Sequence, residues 1–303
     1  NISNKILLLI FIIATILIII SVFIMLLKIK VIKNNVIQTE IATLHNLLQN
    51  AIDAKQNITL SNAISISHNQ DLHYALIQDD RSTAVKILTK IAKELDQYTF
   101  IKKVKLHLHT KDTHSFVRAW KLSKYGDDLS SFRNTLLHVK KIKKPFSSFE
   151  TGRVGLVIRG IAPLIKDNQY NGSIEVIQGV DSEAKSFEKK GYHILLLMND
   201  NLTKIAWKAK TAPSVGNYKL SQKVFNANFL DNAKNIDFDL LIKNKKFHDD
   251  KYYYTYQKIE DFSGKTLGIF LIGEDRKIVD YSINSAKEIV YNSIINMVVL
   301  IIV

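Results

Sequence analysis

Residues 104–121 read VKLHLHTKDTHSFVRAWK, and this stretch decides what kind of domain the chain builds. Apolar and polar residues alternate over 104–109, as in a strand that buries one face. The polar run 110–113 turns the chain, and a second strand is predicted over 115–121. Side chains two residues apart on a strand share a face. Three side chains of the second strand are therefore expected on one side of the sheet: Phe116, Arg118 and Trp120.

The rest of residues 99–275 continues with short strands and no long Gly/Ser linker. Helices are predicted over 128–139 and 221–233. The strands do not alternate with helices as they would in a parallel sheet. The predicted fold class is α+β, with two tandem PAS-like antiparallel-sheet modules at residues 99–185 and 186–275. Further strands are predicted over 155–165, 172–178, 193–198, 204–208, 240–242, 252–259 and 267–272.

The N-terminal part is predicted to be helical, with a membrane helix that continues well beyond the bilayer. No charge interrupts residues 6–27, and lysines flank this segment on both sides. It is long enough for a bilayer core of roughly 30 Å, and it is longer than the apolar part of a signal peptide. We therefore predict a transmembrane helix over 6–27. The region 28–98 is predicted to be helical because an apolar stripe at helical spacing continues through Ile37, Ile41, Leu44, Leu48 and Ile52.

The C-terminal part mirrors this arrangement. Residues 276–303 are predicted to form a helix that enters a second span, because 294–303 is apolar apart from Asn296. A span needs about 20 residues, so we expect this one to be truncated and the chain to be a fragment of a longer protein. Two spans place the intervening residues on one side of the membrane, and the lysine distribution does not decide which side.

The composition excludes several classes of function. With 47% hydrophobic residues in 303, the chain can bury real cores. The absence of cysteine excludes disulfide scaffolds, thiol nucleophiles and cysteine-ligated metals. The net charge of +14 comes mostly from scattered lysines, so no nucleic-acid partner is expected. The chain has no phosphate-binding, hydrolase or kinase motif, and no cofactor is expected.

Arginine is rare in this chain and unevenly placed. Only six of the 42 basic residues are arginines, and four of these lie within residues 118–159. A guanidinium grips a carboxylate with a planar fork that lysine lacks. One interpretation is therefore a site for an anionic ligand, with aromatic rings beside Arg118 covering its apolar part. The other is structural ion pairing with Asp127, Asp128, Glu150 or Glu175. Both interpretations are open for Arg118, Arg133, Arg153 and Arg159.

Three histidines lie close together in the opening stretch. His107 and His109 share a strand face, and His114 follows the turn that contains Asp112. Such a group is geometrically able to hold a metal ion, which would suit a membrane-tethered metallohydrolase. A hydrogen-bonded strand pair is the simpler explanation, and we predict no metal.

Longer motifs resemble those of the double Cache sensor domain, third subgroup. They are SFVRAWK at 115–121, YGDDL at 125–129, FR at 132–133, GR at 152–153, IRGIAP at 158–163 and GSIE at 172–175. This subgroup is found on bacterial methyl-accepting chemotaxis proteins and on sensor kinases. The resemblance implies a long N-terminal helix, a membrane-distal module that binds a ligand and a membrane-proximal module that transmits the signal.

The resemblance also implies which residues bind the ligand. In amino-acid receptors of this family, the arginine of an Arg-x-Trp-Tyr signature holds the carboxylate and a later aspartate holds the ammonium group. Arg118 and Trp120 match, but Lys121 replaces the tyrosine, which favours a more anionic ligand such as a small organic acid. The arginine cluster, the strand face and the resemblance together give the candidate ligand-binding residues, which are Phe116, Arg118, Trp120, Lys121, Tyr125, Asp127, Asp128, Arg133 and Arg159.

The predicted function is the ligand-sensing extracytoplasmic region of a transmembrane chemoreceptor in the bacterial inner membrane. It would bind a small anionic solute (an organic acid or an amino acid), form a homodimer and signal to cytoplasmic partners through an output domain outside the sequence. It would not itself be an enzyme. The alternatives are the sensor region of a two-component histidine kinase or of a nucleotide cyclase, the metallohydrolase, and a spacer that binds nothing.

Overall fold

A computed structural model describes residues 2–99 and 101–302 of the chain. The helices in this part are α1 (Ile2–Ser67), α2 (Gln70–Ile77), α3 (Arg81–Tyr98), α4 (Asn134–Ile142), α5 (Asp181–Glu188), α6 (Ala227–Ala233), α7 (Phe238–Asn244) and α8 (Arg276–Ile302). The strands are β1 (Lys105–Thr110), β2 (Ser115–Arg118), β3 (Phe146–Gly152), β4 (Gly155–Lys166), β5 (Gln169–Gln178), β6 (Tyr192–Asn199), β7 (Ser214–Val215), β8 (Tyr218–Leu220), β9 (Lys246–His248), β10 (Tyr252–Glu260) and β11 (Thr266–Asp275).

The first sheet has the strand order β2-β1-β5-β4-β3, and its neighbouring strands are antiparallel. His107 lies opposite Arg118 on one side and Glu175 on the other. Arg159 lies opposite Ile177 in the same way. Because residues directly opposite each other point to the same face, these side chains all share one face of the sheet. We call it the polar face.

The other face of this sheet is apolar and packs against helices. Leu106, Leu108 and Val176 of the strands form one buried cluster with Leu72 of α2 and Leu88 of α3. A deep apolar core of this kind is the main source of stability in a domain of this size. The sheet therefore presents one face to the core and leaves the other for a site.

Phe116 lies on the apolar side, which corrects the prediction that it shares a face with Arg118. Leu108 pairs with Val117, but His109 pairs with Ser115, so the register shifts between Leu108 and His109. An extra residue on one strand breaks the alternation of side chains. Phe116 consequently packs into the same buried cluster as Leu106 and Leu108.

The polar face is covered by the segment between β2 and β3. The predicted helix over 128–139 begins later, at Asn134, because Asp128 accepts a hydrogen bond from the Ser130 backbone (2.8 Å) and forms a turn instead. Leu136 and Val139 of the helix pack on Ile161. β3, which follows α4, was not predicted. The segment thus forms a lid of turns and one short helix over the sheet.

The second sheet has the order β7-β8-β6-β11-β10-β9. Two strands predicted in this region are wrong: 204–208 forms short 3-10 turns, and 240–242 lies within α7. Short apolar runs do not distinguish a strand from a helix, and here Asp237 caps the helix by accepting from the Leu240 backbone. The predicted helix over 221–233 begins only at Ala227.

The chain divides into two compact units. One contains Leu48–Phe247 and Thr255–Gly273, which includes the whole first sheet; the other contains Asn1–Leu47, His248–Tyr254 and Glu274–Val303. In the second of these units, Ile37 of α1 packs against Val279 and Ile283 of α8.

The N-terminal helix carries the apolar segment predicted to cross a membrane. Among the described residues, it is the helix long and apolar enough to do so. Large side chains in this segment are exposed, with Phe11 at 71% and Phe23 at 62%, a surface that suits lipid rather than water. The predicted second span, 294–303, lies partly outside the described residues and stays a prediction.

Candidate functional site

The polar face and its covering segment enclose a cavity of about 220 Å³. Five of the predicted binding residues line it: Arg118, Trp120, Lys121, Arg133 and Arg159. The remaining lining residues are Lys105, His107, Lys124, Leu129, Phe132, Gly152, Arg153, Val154, Val157, Ile177, Trp207 and Lys208. The register of the first sheet therefore brings most of the predicted site together.

Arg118 is held by an internal carboxylate. Its Nη1 and Nη2 donate to the two oxygens of Asp127 at 2.6 and 3.0 Å, and Nη1 also donates to the Lys124 carbonyl. Arg153 donates to the same carboxylate at 3.1 Å. Burial by itself would raise the pKa of Asp127, but the hydrogen bonds and charge of Arg118, and then of Arg153, hold it well below its ordinary value. Asp127 stays ionised and orients both guanidinium groups.

Arg133 and Arg159 are held deeper in the sheet by Glu150 and Glu175. Arg133 Nε donates to Glu150 at 2.7 Å, and its Nη2 donates to Glu175. Arg159 Nη1 donates to the same Glu175 oxygen at 2.8 Å. Burial opposes ionisation of Glu175, yet the two arginines keep its pKa well below the ordinary value. This network is neutral overall, because two guanidiniums meet two carboxylates.

The uncompensated charge of the cavity comes mainly from lysines. The Arg118–Arg153–Asp127 group adds one positive charge, because two guanidinium groups share one carboxylate. Lys105, Lys121, Lys124 and Lys208 line it, and within residues 2–99 and 101–302 none of them forms an ion pair with a carboxylate. Lys105 is half-buried, and burial, followed by repulsion from Lys223 and other cations, lowers its pKa. A cluster of cations in a partly dry site attracts anions.

Several lining residues were not predicted. Trp207 and Lys208 lie between β6 and β7 of the second sheet, outside the module in which the sequence predicted the site. The Lys208 backbone donates to the Arg153 carbonyl at 3.1 Å. Lys105 could have been predicted as a lining residue from the sequence, because strand alternation places it on the same face as His107. Trp207 gave only a weak signal, as one of two tryptophans in the chain.

Three predicted binding residues lie elsewhere. Phe116 and Tyr125 line a second cavity of about 740 Å³, where the Arg81 guanidinium lies 3.8 Å from the centre of the Tyr125 ring. Asp128 closes its own turn by accepting from Ser130. The structure does not bring these three side chains to the lysine-lined cavity.

A possible metal group differs from the one considered from the sequence. His107 Nδ1 and His109 Nε2 lie 3.3 and 3.6 Å from Glu175 Oε2, and all three residues are buried. His114 instead lines the second cavity. Ligand distances suit a metal, but two arginines already bind Glu175 and would repel a divalent cation. Burial lowers the pKa of His107 to about 4, so a neutral imidazole beside the carboxylate is the simpler state.

Comparison with protein families decides what this architecture is. A family described as a double sensory domain of two-component sensor kinases matches residues 37–279. The chain belongs to this double Cache family. The predicted family is thereby confirmed, and the matched residues include both sheets, the cavity and the part of α1 from Ile37 onward.

Solved structures resemble the chain at low sequence identity. The ligand-binding domain of the Campylobacter jejuni chemoreceptor Tlp3, in complex with 4-methylisoleucine, is 12% identical with a TM-score of 0.50, covering 82% of this chain and 94% of that one. The V. cholerae histidine kinase DctB sensor domain is 12% identical with a TM-score of 0.49, covering 78% and 96%. At this identity the likeness concerns the fold alone. No curated protein matches the chain.

Proposed function

We propose that this double Cache chain is the extracytoplasmic sensor region of a receptor in the bacterial inner membrane, and that its cavity binds a small anionic solute, an organic acid or an amino acid. The observation that carries the proposal is the set of four lysines that face the cavity without a carboxylate partner among the described residues. Bringing like charges together costs free energy, which a bound anion recovers.

The arginines that pair with internal carboxylates give this site donors of fixed orientation. Arg118 is fixed by Asp127 and by a backbone carbonyl, so its orientation does not have to be acquired on binding. The lysines supply most of the net positive charge, and Trp120 covers the apolar part of the solute. Asp127 does not itself line the cavity, but it binds two lining arginines, and we propose it as the acceptor for the ammonium group of an amino acid.

Signalling requires that the solute bind two arrangements of the domain with different affinity. Because Trp207 and Lys208 line the cavity together with Trp120, a bound solute contacts both modules. β11 of the second sheet runs directly into α8, which offers a covalent route for a small shift. A homodimer with α1 of each copy side by side would carry the shift across the bilayer.

Ligand screening on the whole chain in lipid nanodiscs tests the binding proposal. An anion at 100 times its Kd is expected to stabilise the chain by about 2.7 kcal/mol, seen as a rise in Tm. Lys105→Met and Arg118→Lys are expected to abolish the rise, whereas Lys93→Met, an exposed lysine of α3, leaves it unchanged. Failure of every organic acid, amino acid and inorganic anion to bind would contradict the proposal.

The output of the receptor is a separate question. We place a chemoreceptor first, and the family description supports a two-component kinase as the second candidate. Fusing the chain to the cytoplasmic part of a well-characterised chemoreceptor or kinase and measuring solute-dependent output distinguishes them, since only a compatible output responds to the solute.

A further inference from the structure

The walls of the lysine-lined cavity are largely apolar and aromatic. Leu129, Phe132, Val157 and Ile177 contribute, and both tryptophans of the chain line the same space. Trp120 and Trp207 remain 40% and 51% exposed. A small hydrated dicarboxylate would leave this surface uncovered, whereas burying aromatic surface is a large source of binding free energy.

Each tryptophan has a lysine beside it. Lys105 Nζ lies 5.8 Å from the Trp120 ring centre, and Lys208 Nζ lies 5.3 Å from that of Trp207. A carboxylate that binds either ammonium group brings the rest of its molecule against the neighbouring indole. The ammonium groups and the indole rings together favour a ligand with a charged end and a flat apolar body.

The size of the cavity limits that body. Its volume of about 220 Å³ lies below the roughly 300–1,000 Å³ of pockets for drug-sized ligands. One ring, or one fused pair of rings, with a short acidic arm suits such a space. The side that is open to solvent leaves room for the arm to reach the lysines.

From these features, and resting on the anion-binding function proposed above, we infer that the solute class is an aromatic carboxylate. The carboxylate lies among the lysines, and the ring lies against Trp120, Trp207 and Phe132. Such a ligand touches both modules, because Trp120 belongs to the first and Trp207 to the second.

The test compares probes that share charge and approximate size but differ in aromaticity. Titration calorimetry on the whole chain in nanodiscs, with empty nanodiscs as the blank, measures benzoate against cyclohexanecarboxylate, and benzamide as the uncharged aromatic. We expect benzoate to bind about threefold to tenfold more tightly than cyclohexanecarboxylate, the range that one aromatic contact supplies. Benzamide should not bind measurably.

Substitutions of the two tryptophans test whether the preference for benzoate over cyclohexanecarboxylate arises in this cavity. Trp120→Leu and Trp207→Leu should each reduce the preference for benzoate while succinate still binds, which also shows that the variant is folded. Tyr98→Leu, an aromatic residue exposed on α3, should leave the preference intact. Equal binding of the two acids, or a preference that survives both tryptophan variants, overturns the inference while leaving the anion-sensor function standing. Failure of benzoate, succinate and phosphate alike overturns both.

Discussion

Individual side chains decide which solute this cavity accepts, and Asp127 is the most informative of them. It competes with any bound carboxylate for Arg118 and Arg153. We predict that Asp127→Asn tightens binding of organic acids by up to about tenfold, a gain of about 1.4 kcal/mol, and weakens binding of amino acids, whose ammonium group loses its acceptor. Calorimetry with one ligand of each kind measures this. Weaker binding of organic acids would contradict the charge assignment.

The same substitution changes stability with a defined pH dependence. Asp127 has a folded-state pKa held below its unfolded value, so its contribution is present above about pH 4 and is lost as the pH falls further. Asp127→Asn is expected to cost about 1–2 kcal/mol at pH 7, since charged hydrogen bonds are lost, and to remove part of the acid sensitivity. Thermal unfolding between pH 3 and 7 measures both effects.

At the scale of secondary-structure elements, the backbones of α1 and β4 are in close contact. A Cβ atom at Gly160 would lie 2.6 Å from the backbone nitrogen of Leu60, so the helix backbone rests on the sheet there. We predict that Gly160→Ala destabilises the chain by about 1–3 kcal/mol through overpacking. Gly179→Ala is the control, because nothing lies within 4 Å of the added atom. Equal Tm values for the two variants would contradict this packing.

The end of β11 contains a second pH-dependent group. Burial, reinforced by Glu40 and then by Asp275, raises the pKa of Glu274 to about 8. The folded state therefore keeps a proton that the unfolded chain releases above about pH 4.5, so stability should fall as the pH rises from about 5 to 8. Glu274→Gln is expected to flatten this dependence, and Glu260→Gln, an exposed residue of β10, to preserve it. Measuring Tm between pH 5 and 8 tests this prediction. If Tm of Glu274→Gln falls with pH as steeply as that of the unmodified chain, the Glu274 carboxyl group is not the cause of the pH dependence.

For the whole molecule, the side of the membrane on which the sheets lie is the decisive question. The chain contains no cysteine, so any maleimide labelling of the chain comes from the one thiol that is introduced. We predict that Asn201→Cys, an exposed position in the second module, reacts in intact cells with a membrane-impermeant maleimide. Lysed cells provide the positive control. Labelling only after lysis would place the domain in the cytoplasm and contradict the sensor orientation.

Local pattern was sufficient for much of this architecture. Alternation predicted four of the five strands of the first sheet, but only β6, β10 and β11 of the six strands of the second. The uncharged run near the N-terminus predicted the long helix, because such patterns depend on neighbours a few residues apart. The rarity of arginine in a lysine-rich chain directed attention to Arg118, Arg133 and Arg159, all of which line the cavity. The register shift that turns Phe116 into the core could not be predicted from the alternation of apolar and polar residues.

What the sequence by itself determined is the double Cache family, the order of its main helices and longer strands, and the strand face on which a site would form. Only the tertiary structure decided that the arginines pair with internal carboxylates while lysines carry most of the free charge, and that Trp207 and Lys208 complete the cavity. The reason is physical: the Arg133–Glu175 pair joins residues 42 apart in sequence. Which charges meet across such distances depends on sheet register and packing, not on local spacing.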